Sequence, residues 1–71
     1  MMLFVQTENR KVCWAAKNLT ACRKKVKELR SVSIVFDWVV HDNDDRMVDS
    51  SGTLQGWSRV AGATYEGYLY G

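Results

Sequence analysis

At Asn18 the hydrophobic rhythm of this chain changes, and that change limits what the chain can become. From there on, Leu19, Cys22, Val26 and Leu29 recur at spacings of three, four and three, which puts them on one face of a helix. A helix over 19–30 follows, with Lys24, Lys25, Lys27 and Glu28 on its other faces. Asn18 is suited to cap it, because its side-chain oxygen can accept a backbone N–H that the first turn leaves without a partner. Arg30, near the far end, complements the helix dipole.

The rest of the chain reads as strands and turns. Residues 2–7 are apolar and β-prone, 8–10 contain the turn-forming Asn9, and 11–16 read as a second strand, so the chain opens with a hairpin. After the helix, 33–40 is the strongest strand: Ile34, Phe36, Trp38 and Val40 alternate with Val35, Asp37 and Val39. The face carrying Ile34 and Phe36 is expected to meet the helix, since Asp37 prefers the outer face. The run 41–45 is an acidic turn, 46–49 a short returning strand, 50–52 another turn, and 53–60 a further strand carrying Trp57. Residues 62–71, rich in Gly and Tyr, are either an edge strand or a loose tail.

These elements imply a single α+β domain over 1–71. Its antiparallel sheet has four or five strands in the order ββαββ, with a possible further C-terminal strand and one helix packed on one face. The opposite face is expected to stay partly open. Trp14, Phe4, Phe36 and Trp38 are the large side chains expected in the core. At 71 residues such a domain buries only about 60% of its unfolded surface. Its net stability is then about 4–10 kcal/mol.

Several function classes are disfavoured. No apolar run approaches the ~20 residues of a membrane-spanning helix. The apolar start lacks a basic leader, so it is not read as a signal peptide, and a cytoplasmic protein is expected. Cys13 and Cys22 are accordingly expected to be reduced and buried. His41 is the one histidine in the chain. It is expected to be a solvated turn residue, because no nucleophile or enclosed pocket accompanies it in a recognisable pattern. The chain is therefore read as non-enzymatic, with no cofactor and no metal. The acidic turn fails as an EF-hand: counting from Asp42, Met47 and Thr53 stand where that loop requires Gly and Glu. Asn18-Leu19-Thr20 matches a glycosylation acceptor, but its place at a helix start makes capping the better reading.

Charge is the more informative signal. The net charge is only +2, yet its distribution is lopsided. Residues 1–30 hold eight basic side chains against two acidic ones, and 31–71 hold two against six. Such asymmetry bears on partners. Arg10, Lys11, Lys17, Arg23, Lys24, Lys27 and Arg30 are candidates for one positive binding patch. Asp42, Asp44 and Asp45 are candidates for an acidic docking patch. Trp57, Tyr65 and Tyr68 are candidate interface anchors, because aromatic side chains bury much area with few rotors.

A short hairpin, a helix opening Asn18-Leu19-Thr20-Ala21, and a Trp-bearing hairpin after it form a layout that resembles small phage-encoded inhibitors, among them anti-CRISPR proteins and a phage inhibitor of bacterial RNA polymerase. The resemblance rests on the order of elements over residues 2–60. It implies a protein that blocks a larger host complex by occupying a surface. The expected function is that of a protein-binding inhibitor or adaptor of phage or mobile-element origin. The alternative is a nucleic-acid-binding module using the basic hairpin turn and helix. A third expectation is a homodimer in which the opposite charges pair between copies.

Overall fold

The computed structural model describes residues 1–51 and 62–70, apart from the side chain of Phe36. The strand expected over 53–60, and Trp57 with it, lie outside the described residues. The elements are β1 (Met2–Thr7), β2 (Lys11–Ala16), α1 (Leu19–Val32), β3 (Val35–His41), β4 (Met47–Ser50) and β5 (Thr64–Leu69). They form one sheet in the order β4-β3-β1-β2-β5, with α1 against one face. The α+β architecture is thus the expected one. The sheet is mixed rather than wholly antiparallel, because β5 joins β2 in parallel.

The hairpin β1–β2 forms as its composition dictates, although the turn is organised by Thr7 as much as by Asn9. The Thr7 hydroxyl accepts from the backbone N–H of Asn9 and Arg10 at 3.3 and 3.2 Å, and Thr7 N–H donates to the Arg10 carbonyl at 2.9 Å. The helix begins where Asn18 places it. Asn18 sits in extended backbone, and its Oδ1 accepts from Ala21 N–H at 2.9 Å. The helix continues to Val32, two residues beyond the expected end, and the Ser33 N–H closes it onto the Leu29 carbonyl at 2.8 Å.

The main core lies between α1 and the sheet. Leu3 and Val5 from β1, Val12, Trp14 and Ala16 from β2, and Trp38 and Val40 from β3 meet Ala21, Cys22 and Val26 of the helix. Leu19 and Leu29 flank them, as the helical spacing requires. Because β1 is the middle strand, Leu3 and Val5 are almost wholly removed from water. Each such side chain contributes roughly 1.5–3 kcal/mol relative to exposure.

The strand β3 departs from the expected phase. Its register with β1 runs Val5 to Trp38, Gln6 to Asp37 and then Thr7 to Val35, which skips Phe36. One extra residue on one strand is a bulge, and it reverses which side chains face in. Trp38 and Val40 face the helix as expected. Beyond the bulge Val35 packs on the core in place of Ile34, which is 57% exposed.

The face away from the helix also differs from expectation. At its centre Cys13, Val39 and His41 are buried, so this face is not open there. Phe4 stands on this side, half-buried, with its ring 5.4 Å from that of His41. His41 is 6% exposed and closes β3, which corrects the reading of a solvated turn histidine. The turn proper starts one residue later, at Asp42.

Candidate functional site

The helix carries most of the candidate cations, and its 100° step per residue divides them. Arg23, Lys27 and Arg30 line a groove of about 390 Å³ between α1 and the β3–β4 side of the sheet. Val26 and Trp38 line the same groove, together with Asp49. Arg23 Nε donates to Asp49 Oδ2 at 2.8 Å. Lys27 and Arg30 make no ion pair with another described residue. On the opposite flank, Lys24, Lys25 and Glu28 border a second hollow with Tyr68, Leu69 and Tyr70 of the β5 side. There Lys25 Nζ bonds to Glu28 at 3.1 Å and lies 5.1 Å from the Trp14 ring centre, an arrangement that favours a cation over an aromatic face.

The other candidate cations do not join a common patch. Arg10, in the hairpin turn, pairs with Glu66 of β5 at 3.3 Å. Lys11 opens β2 and is half-buried. Lys17 lies at the opposite end of the molecule, in a cleft with Met2, Ala15, Asp42, Asp45 and Tyr68. The single positive patch expected from the sequence is therefore several separate basic sites. The reason is geometric: residues adjacent in the chain project from different sides of a helix, or from opposite ends of a hairpin.

The acidic turn is tightly built. Asp42 Oδ1 accepts from Asp44 N–H at 2.9 Å and from Arg46 N–H at 3.0 Å. The backbone closes through Asp42 N–H to the Arg46 carbonyl at 2.9 Å, and Asp45 adopts a left-handed conformation at φ 60. An Asp tolerates this conformation better than most residues. The backbone bond from Arg46 and the further one from Asp44, with the Arg46 charge, hold the Asp42 carboxyl below the usual range. Its Oδ1 is thus committed to the turn itself, and Asp44 and Asp45, both exposed, add outward charge at this end.

At the other edge of the sheet stands β5. Its Tyr65 registers with Cys13 and its Tyr68 with Ala15, so both tyrosines rise from the side away from the helix. Gly67 lies in this strand at φ 147, a conformation that excludes most side chains. Tyr65, Tyr68 and Tyr70 are 58%, 46% and 80% exposed, and the rings of Tyr68 and Tyr70 touch at 4.6 Å between centres. Tyr70 was not among the candidates, although its spacing of two from Tyr68 places both on one side of an extended segment.

The two thiols of the chain are withdrawn from solvent. Burial raises the pKa of the Cys13 thiol, helped by the nearby Glu66 carboxylate. Burial likewise raises that of Cys22; the N-terminal amine opposes it, and the Asp49 charge adds a lesser upward effect. Neither thiol is in a disulfide, and both are buried. No helix among the described residues is long and apolar enough to cross a membrane. Compared with protein-family models, with curated proteins and with solved structures, the chain shows no significant match.

Proposed function

We propose that this chain is a non-enzymatic protein-binding module, an inhibitor or adaptor that acts by occupying the surface of a larger complex. The observation that carries this reading is the β5 edge, an outermost strand of the sheet that presents Tyr65 and Tyr68 to solvent, with Tyr70 exposed just beyond its end. An outermost strand offers unpaired backbone groups to a partner. Exposed tyrosines supply rigid contact area at little entropic cost. The division of charge, with Asp44 and Asp45 at one end and Arg30 at the end where the helix stops, would orient the encounter. The resemblance in layout to small phage-encoded inhibitors points the same way, toward a host complex as the partner.

The nucleic-acid reading has less support. Arg10 and Arg23 are each tied to a carboxylate, and Lys17 shares its cleft with Asp42 and Asp45. A polyanion would have to displace or approach those acidic groups.

Photo-cross-linking in the native cells tests the proposal. A benzophenone amino acid is placed at Tyr65, at Tyr68, or at the exposed Thr20 on the helix. The expected result is one protein captured from both tyrosine positions and not from Thr20. Capture of nucleic acid, or capture from Thr20 alone, contradicts it.

A further inference from the structure

The groove beneath α1 has a composition of its own, separate from the β5 edge. We propose that it binds an acidic peptide segment. Carboxylates of that segment pair with Lys27 and Arg30, while an apolar side chain between them settles on Val26 and Trp38. This site does not depend on the role proposed for β5.

Four observations lead to that occupant. Lys27 and Arg30 stand on the rim without an ion-pair partner among the described residues. Arg23, beside them, already holds a carboxylate, that of Asp49, at 2.8 Å, so the groove displays the pairing chemistry that an acidic peptide would extend. At the floor, Trp38 is 8% exposed and its buried Nε1 donor has no acceptor among the described residues, a condition that native interiors rarely tolerate. The volume of about 390 Å³ suits one or two side chains.

The same observations separate a peptide from a nucleic acid. Trp38 and Val26 are buried, so they offer a floor for an aliphatic group and no open ring face on which a base could stack. The exposed rings belong to the β5 edge.

The experiment is an NMR titration of the ¹⁵N-labelled protein with a blocked pentapeptide, Asp-Leu-Asp-Leu-Asp. Its Asn-for-Asp counterpart and a short single-stranded DNA serve as comparison ligands. The Trp38 indole resonance is assigned with Trp38→Phe. The expected result is a shift of that indole signal together with the amides of Arg23, Lys27 and Arg30, caused by the acidic peptide and not by its neutral counterpart. Lys27→Glu or Arg30→Glu should weaken the binding about tenfold or more. Lys24→Glu makes the same change in net charge on the opposite flank and should leave it nearly unaltered. Equal weakening by Lys24→Glu would show a diffuse field and overturn the proposal. So would the absence of any shift, or a preference for the DNA at the same residues.

Discussion

Replacing Asn18 by Ala tests whether the helix, and every cation mounted on it, is positioned by its cap. Asn18 Oδ1 accepts from Ala21 N–H at 2.9 Å, and the first turn contains no acidic residue to share that task. The next bond, from Cys22 N–H to the Asn18 carbonyl, is long at 3.3 Å. Loss of a cap of this kind costs about 0.5–2 kcal/mol. The absence of a second compensating group puts the expectation in the middle of that range, at about 1–1.5 kcal/mol. For a domain of this size each kcal/mol lowers Tm by about 4–8 °C. With a urea dependence of about 1 kcal/mol per molar, the midpoint should fall by about 1 M. Unfolding is followed by tryptophan fluorescence in urea, beside Asn18→Ser, which keeps an accepting oxygen and should stay within a few tenths of a kcal/mol of the parent. If Ala and Ser behave alike, the cap is not what fixes the helix start. If the slope changes as well as the midpoint, the variant has altered the folded or unfolded ensemble, and the cap argument fails.

Three further outcomes are expected. Leu3→Ala, at a side chain fully buried in the middle strand, should cost about 3–5 kcal/mol and move the urea midpoint far down, whereas Leu3→Met should cost less than about 1.5 kcal/mol; urea melts followed by circular dichroism decide. The Asp42 carboxyl titrates lower folded than unfolded, so its contribution to stability is full above the ordinary carboxylate range and is lost as pH falls through the lowered folded value. Asp42→Asn should remove that part of the acid dependence, and a carbon-detected NMR titration giving an unshifted Asp42 would refute the assignment. Cys13 and Cys22 should react with a thiol reagent only as fast as the protein opens; rapid labelling of the native state by Ellman's reagent would contradict their burial and raised pKa.

The elements governed by local chemistry were legible in the sequence. The cap at Asn18, the apolar stripe of α1 and the β1–β2 hairpin each depend on residues a few positions apart. What was not legible depends on distant pairing. The bulge at Phe36 arises from the fit of β3 to β1, and it moved Ile34 outward and Val35 inward. The parallel docking of β5 on β2 joins residues some fifty positions apart, and with it came the Arg10–Glu66 pair that takes Arg10 out of any open basic patch. His41 looked like part of an acidic turn because of its neighbours, but it completes β3 and is buried beside Phe4. The grouping of Arg23, Lys27 and Arg30 on one flank follows from helical spacing alone. The groove they border needed β3 and β4 beside them, and so needed the fold.

The central claim is that β5 is the surface by which this chain holds a protein. Hydrogen–deuterium exchange of the chain, alone and in the complex isolated through a Tyr68 cross-linking handle, examines it most directly. Free, the outer amides of β5 should exchange quickly and those of β1 slowly, as an edge and a central strand require. In the complex, the account predicts strong added protection over Thr64–Leu69. Protection confined to the helix or to the acidic turn, with β5 exchanging as in the free chain, would contradict it.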